Sequence, residues 1–446
     1  MGRSRRQFLR EGGSLAASAG IYSLLPASLI GGACARRSGA NDRIRVGLIG
    51  CRNMGYTNIT QFIREPDVEV AAICDIDRQM LDRRAADLTT FAYEQQLPIP
   101  KPDLMEDFRR MLDRRDIDAV IISTPDHWHA LMTIMACQAG KDVYVEKPMA
   151  NSIFEAEKMV EAGRKYQRVI QVGQWQRSGS HWKSMVDFLQ SDKLGHINRV
   201  DVWRYGGNSV PKVPDAPVPP GVNYDLWLGP APLRPFNLNR FHYNFRWFWD
   251  YAGGKMTDWG VHLIDMAMWG LNIKHPRQIS AVGGNLVFPD DDMETPDRLR
   301  VDYRFGDMVL SWVNDFGQEV NEYNMDHGLI FHGENGLLLA NRNFWKVVPA
   351  ERNGSPAIEP VEPQASDGAD LQKHVRNFLD AVKSRNRDTA CNAEVASAVA
   401  RVAHMGNIAY RSGETLHWDG ETGYFNEAAG NLLIRPQYRE PWQLGE

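Results

Sequence analysis

The sequence predicts an α/β protein with two parts. The first is an N-terminal doubly wound parallel sheet, and the second is an α+β region with an open, largely antiparallel sheet. Three observations predict it. Short apolar strands alternate with helix-period segments from residue 42 to about 165. A glycine turn stands directly between the first strand and the first helix. Beyond Val169 that alternation gives way to β-like runs at hairpin spacing. A chain of 446 residues suits two domains. The expected boundaries are a leader over 1–35, a first domain over 42–165, a second over 166–370, and C-terminal helices and a tail over 371–446 that pack back on the core.

The first domain opens on the apolar run Ile44 to Ile49, followed at once by Gly50-Cys51-Arg52-Asn53-Met54-Gly55. A helix pattern from Tyr56 to Arg64 and a second strand, Val68 to Cys74, lead to Asp75, twenty residues after Gly55. This is the order of a Rossmann dinucleotide site. Backbone N–H groups at the helix N-terminus, in the turn spanning Gly50, Arg52, Asn53, Met54 and Gly55, hold a pyrophosphate, and Asp75 accepts from the adenosine ribose hydroxyls. The middle glycine of the usual turn is Arg52, so either the turn widens or the guanidinium itself reaches a phosphate. Asp75 favours NAD, because a carboxylate would repel a 2′-phosphate, while Arg52 and Arg78 leave NADP open.

The alternation continues with a helix over Glu106 to Leu112 and a strand over Ile117 to Ser123. Thr124-Pro125-Asp126-His127-Trp128-His129 then turns into a helix that closes at Gly140. The next strand, Asp142 to Val145, delivers Glu146-Lys147-Pro148, and Ser152-Ile153-Phe154-Glu155 reads as a capping box. Ligands of open α/β sheets bind at the carboxyl ends of the strands. That edge carries Thr124, Pro125, Asp126, His129, Glu146 and Lys147 as expected cofactor contacts, with Lys147 also placed to move a proton.

In the second domain, runs at Ile197 to Trp203, Ile279 to Val282, Leu299 to Phe305 and Met308 to Trp312 predict hairpins in an open sheet. Thr257 to Gly270 reads as a helix in which Asp258 and His262 share one face, with Asp265 three residues further on. A neutral imidazole held by a carboxylate is a usable general base, so Asp258 and His262 join Lys147 as catalytic candidates. No metal is expected, since no second His or Cys is placed by spacing. Gln174, Trp175 and Arg177 follow the strand Val169 to Gly173, and Arg246 lies among Phe245, Trp247, Phe248 and Trp249. Together with Asp258 and His262 they are the expected substrate contacts. Aromatic faces beside such polar groups suit a carbohydrate, although core packing accounts for most of these rings. The stretch 347–370 reads as a loop, a helical pair follows over 371–384 and 393–411, and no function is assigned to the tail from Thr415.

With the Gly50 turn, Thr124-Pro125 and His129, Glu146-Lys147-Pro148, and Asp258-Trp259-Gly260-Val261-His262 in this order, the chain resembles the Gfo/Idh/MocA oxidoreductase family. The resemblance implies a lysine beside the nicotinamide and an aspartate and histidine from the second domain completing the site. It also implies a homodimer or homotetramer formed through the open sheet face. The family usually has Asn where this chain has Asp126.

The N-terminus carries Ser4-Arg5-Arg6-Gln7-Phe8-Leu9 and an apolar stretch from Ser14 to Ala33, a twin-arginine export pattern. Removing it takes away four arginines and one glutamate, moving the formal charge from -5 to -8. The expected location is therefore periplasmic or otherwise exported, with lipid attachment at Cys34 an alternative to cleavage after Ala35, and no membrane span is expected in the mature chain. Five cysteines make no disulfide framework, and the acidic balance offers no footprint for nucleic acid. Outside the cytoplasm free cofactor is scarce, so a retained, internally recycled NAD is expected. The leading reading is oxidation of a secondary hydroxyl of a sugar or glycoside. The alternative is a redox-neutral glycosidase working by oxidation, elimination and reduction on the same scaffold.

Overall fold

Six strands form the first sheet: β1 (Ile44–Ile49), β2 (Val68–Cys74), β3 (Asp103–Met105), β4 (Ala119–Ile122), β5 (Asp142–Val145) and β6 (Ile170–Val172). All are parallel, in the order β3-β2-β1-β4-β5-β6. The computed structural model describes residues 43–321 and 323–444. The arginine pair, the apolar stretch and Cys34 of the leader lie outside them. Every residue of β4 and β5 is buried, as expected for a parallel sheet covered on both faces by helices. The chain order reverses between β1 and β4, which opens a crevice above their carboxyl ends.

Helix α1 (Asn53–Phe62) follows β1, α2 (Arg78–Glu94) follows β2, α3 (Phe108–Leu112) follows β3, α4 (Asp126–Gln138) follows β4, and α5 (Ile153–Lys165) follows β5. Ser152 caps α5 as its sequence suggests, accepting from Glu155 N at 3.2 Å. Strand β6 corrects the boundary expected at residue 165. It pairs in parallel with β5, Val143 opposite Ile170, and is fully buried in the first sheet.

The second sheet has ten strands. Its centre is β7 (Ile197–Tyr205), β8 (Gln278–Gly284), β9 (Arg298–Phe305), β10 (Met308–Asp315), β11 (His327–Gly333), β12 (Gly336–Ala340) and β13 (Phe344–Pro349). All neighbouring pairs are antiparallel except β7 with β10. Along β9 the residues Leu299, Val301, Tyr303 and Phe305 are buried while Arg298, Arg300 and Arg304 point to the other, open face. The buried set packs with α8 (Val261–Leu271) and α10 (Ala393–Ser412) in one core.

The stretch 347–370 is not the loop its composition suggests. It holds the end of β13, a two-residue hairpin and the edge strand Val361–Ala365. Pro363 is tolerated there because an edge strand need not donate on its outer side. Helix α9 (Asp370–Ser384) returns to the first domain, where Arg376 reaches Glu65 at 2.9 Å and Asp67 at 2.8 Å. The tail also packs back: Trp442 lies edge-on to Trp128 at 4.9 Å, and Arg439 bonds Asp225 at 2.6 Å. Among the described residues the free cysteines 51, 74, 137 and 391 are all buried, and no helix is long and apolar enough to cross a membrane.

Candidate active site

The turn after β1 is shaped by two glycines. Gly50 has φ +82, and a Cβ on Gly55 would stand 1.9 Å from the Gly50 carbonyl oxygen. Arg52 between them has φ -77 and ψ 172, ordinary extended backbone, so the turn accepts a side chain there without widening. Helix α1 has no side-chain cap and no acid in its first turn, which leaves its N–H groups open to an anion. Asp75, at the end of β2, accepts from Cys51 N at 2.9 Å and Asp77 N at 3.1 Å, so it braces the turn as well as facing the cleft. Arg78 pairs with Asp82 at 3.0 Å and Glu106 at 3.3 Å at the exposed start of α2. The glycine cradle, the uncapped helix end, Asp75 and the unpartnered Thr124 hydroxyl all line or border one cleft, and they fit NAD.

The same cleft is lined by Arg52, Asn53, Met54, Pro125, Asp126, Glu146 and Lys147. Among the further lining residues that local sequence does not point to are Trp227, His242, Tyr243 and Phe245. The last three sit on or beside a short 3-10 helix, His242–Trp247, whose place in space no local periodicity reveals.

His129 is not a cofactor contact but a tie. Its ring nitrogens lie 2.7 Å from Pro148 O and 2.9 Å from Thr124 O, joining the ends of β4 and β5 beneath the cleft. Burial pushes it down to about 4, while the bonds to both carbonyls favour the charged ring, the one form that donates from both nitrogens. Glu146 works from below too: it accepts from Asn58 Nδ2 at 2.8 Å and from Lys147 N at 3.2 Å.

Lys147 reaches across to the second domain. Its Nζ donates to Asp258 Oδ1 at 2.7 Å and to Asp258 O at 2.8 Å, and Arg246 Nε stands 3.4 Å from the same Oδ1. Burial works against ionisation of Asp258, but Lys147 and Arg246 outweigh it and hold the carboxyl well below the usual range. Asp258 sits in a π turn, Met256–Gly260, that runs into α8; such widened turns recur at functional sites.

The expected Asp258–His262 pair does not form. Asp258 is taken by Lys147, and His262 lies against Trp175 at 5.8 Å and Trp259 at 6.4 Å between ring centroids. Its Nδ1 is buried without a partner, and burial keeps the ring well below its ordinary value, so it is neutral without a carboxylate's help. Arg177 and Gln174 are corrected as well. Arg177 is spent on Asp265 through bonds of 2.6 to 2.9 Å, and Gln174 donates to Val261 O at 3.3 Å, so both anchor α8 from behind. Only Trp175 of the three reaches the catalytic side. With Asp265 tied to Arg177 and Asp258 to Lys147, no group of three potential metal ligands converges among the described residues.

Asp126 begins α4 inside the cleft. Burial pushes it up to about 7 from 3.8, against the pull of Arg246 and Lys147. Near neutrality about half of it carries a proton and can donate as an asparagine would. An acid raised on folding lowers stability as pH climbs from its unfolded to its folded value, here from about 4 to about 7, and the full loss persists above that. Asp126→Asn is therefore expected to stabilise the protein by roughly 3–5 kcal/mol at pH 8 and by much less at pH 5. Thermal melts at the two pH values check this, and equal melting temperatures at pH 8 would count against it.

Residues 44–174 match a family model described as "Oxidoreductase family, NAD-binding Rossmann fold", and residues 194–444 match its partner, "Oxidoreductase family, C-terminal alpha/beta domain". The fold is shared with an aldose-aldose oxidoreductase from Caulobacter crescentus complexed with glycerol: TM-score 0.62, 19% identity, covering 84% of this chain and 100% of that one. It is shared also with a levoglucosan dehydrogenase in complex with NADH and levoglucosan: TM-score 0.63, 18% identity, covering 84% and 99%. In sequence the chain is 37% identical over 129 residues to a glycosyl hydrolase family 109 protein of Shewanella sp. (strain W3-18-1), 28% of this chain. It spans about a quarter of that relative's length, 27%.

Proposed function

The chain belongs to the Gfo/Idh/MocA oxidoreductase family, and from that membership we propose that it oxidises a secondary hydroxyl of a sugar or glycoside with a tightly held NAD. The observation that carries the reading is Lys147, bonded to Asp258 across the end of the cleft that the Gly50 turn opens. Bound NAD would supply the hydride acceptor. Two N–H donors of Lys147 are held by Asp258, which leaves the third to bind the reacting hydroxyl oxygen. His262, kept neutral by burial, takes up the hydroxyl proton, and the ion pair of Lys147 with Asp258 fixes the oxygen while it does so. A second sugar or keto compound then returns the enzyme to its starting state.

Export by the twin-arginine route is part of the proposal. The Arg5-Arg6 pattern supports it, and the buried, unpaired cysteines suit a chain folded before transport. A second copy covering the open face of the second sheet completes it.

The test is to release and identify any nucleotide that co-purifies, then to follow absorbance near ~340 nm while a glycoside panel is added without free cofactor. Reduction of bound nucleotide with the glycoside left intact is expected. Nucleotide-free protein, inactive with added NAD and NADP, would sink the proposal. The family 109 similarity favours a second reading, a redox-neutral glycosidase. Release of the aglycone with no net redox change would select it.

A further inference from the structure

Two cations within electrostatic reach of Asp258 stand without an ion pair. Arg342, in the loop between β12 and β13, is clamped between two indoles, its Cζ 4.7 Å from the Trp175 ring and 4.2 Å from the Trp259 ring. Its Nε donates to Gln176 Oε1 at 3.0 Å, which fixes the guanidinium plane and leaves both Nη groups without an ion pair. Lys255, in the turn leading to Asp258, lies over Phe316 at 4.7 Å and Trp247 at 5.5 Å, is 7% exposed and has no ion pair.

Of the neighbouring carboxylates, Asp258 and Asp326 are engaged elsewhere, while Asp370 keeps a buried, unpartnered Oδ1. Asp258 holds Lys147 and Arg246, while Asp326 holds Arg204 at 3.0 Å and His327 at 2.6 Å. Asp370 acts on Arg342 only through space. Three further polar atoms around Trp259 are buried and unpartnered: His262 Nδ1, His327 Nε2 and Arg204 Nε. Arg342 is half-buried and Lys255 buried, and holding cations this way is costly unless an anion completes the site.

We infer that Arg342 binds a carboxylate on the substrate, so that the sugar this enzyme takes is a hexuronic acid or its glycoside. The inference rests on the oxidoreductase reading for the direction of chemistry, but its evidence is separate from the nucleotide cleft. A guanidinium held in a fixed plane presents its two Nη groups as a fork, the geometry that matches a carboxylate in a bidentate pair. A neutral hydroxyl in the same place would leave the guanidinium without an ion pair. The indole faces against Arg342 are covered by it, so the selectivity of this corner comes from charge and not from sugar stacking.

The test uses the full protein with its nucleotide and reads binding by tryptophan fluorescence, since Trp175 and Trp259 border the site. Methyl uronides of the gluco, galacto and manno series are paired with their uncharged uronamides and with the corresponding 6-phosphates. At least one uronide is expected to bind about 10–100-fold more tightly than its amide, the range of one charge-assisted contact. Arg342→Gln should bring that ratio to within about threefold, and Arg342→Lys should keep part of it, having charge without the fork. If Arg342→Gln does not fold, Arg342→Lys alone serves, with a severalfold fall in the same ratio expected. Equal affinity for uronide and amide throughout, a preference for a 6-phosphate, or an unchanged ratio in Arg342→Gln would overturn the inference, whether or not hydride transfer is seen. A uronide that binds selectively but never reduces the bound nucleotide counts instead against the oxidoreductase reading.

Discussion

Replacing Lys147 by methionine is expected to lower the rate of bound-nucleotide reduction by about 10²–10³-fold, the usual cost of losing one positioned hydrogen-bond donor at the reacting oxygen. The fold and the nucleotide should both survive. Asp258 keeps Arg246 at 3.4 Å, so the buried carboxylate is not left alone, and the glycine turn lies at the far end of the cleft. Methionine fills the same stem while removing all three donors. Stopped-flow absorbance with nucleotide content measured on the same sample separates the two quantities. A variant that keeps both its nucleotide and its rate would remove Lys147 from the chemistry.

The second large effect is expected from Gly55→Ala. Its methyl would meet the Gly50 carbonyl oxygen at 1.9 Å, and that obstacle is backbone, which cannot rotate away. Gly50 cannot yield readily either, since its own Cβ position is 2.7 Å from Ser123 O and its φ is +82. The turn has to open, and the N–H groups that face a pyrophosphate open with it. A strain of about 1–3 kcal/mol concentrated there predicts a loss of nucleotide affinity of roughly 10–100-fold. Protein purified with little or no nucleotide, and melting only a few degrees lower, is the expected result. Full occupancy after extensive dialysis would show that the turn does not hold the cofactor.

These two sites differ in how they could be read. The Gly50 turn is local: strand, glycines, helix and acid lie within one stretch of chain, so their order alone dictates their geometry. Lys147 was legible because buried parallel strands announce their ends. The partner of Asp258 was not. Spacing of four residues pairs Asp258 with His262, but a lysine from the other domain wins the carboxylate, and no helix periodicity contains that information. Arg177 fails for a similar reason. Trp175–Ser178 is a 3-10 turn in which successive side chains diverge by about 120°, so Trp175 faces the site while Arg177 turns to Asp265. Arg342 gave no signal at all, because a lone arginine in a hairpin loop acquires meaning only from indoles that arrive from residues 175 and 259.

The first turn of α4 has a kinetic consequence. His127 Nε2 and Trp128 Nε1 both contact Trp227 O at 3.0 Å, His127 N donates to Tyr251 O at 3.1 Å, and Trp442 closes over Trp128. One wall of the cleft is thus stitched to the other, and the end of the chain is laid across the seam. Under the proposed retention of the cofactor, a dinucleotide leaving by that route would wait for several contacts to break together, a longer residence without any tighter bond to it. Slow escape of this kind is what an enzyme needs if each molecule of cofactor is to serve many turnovers.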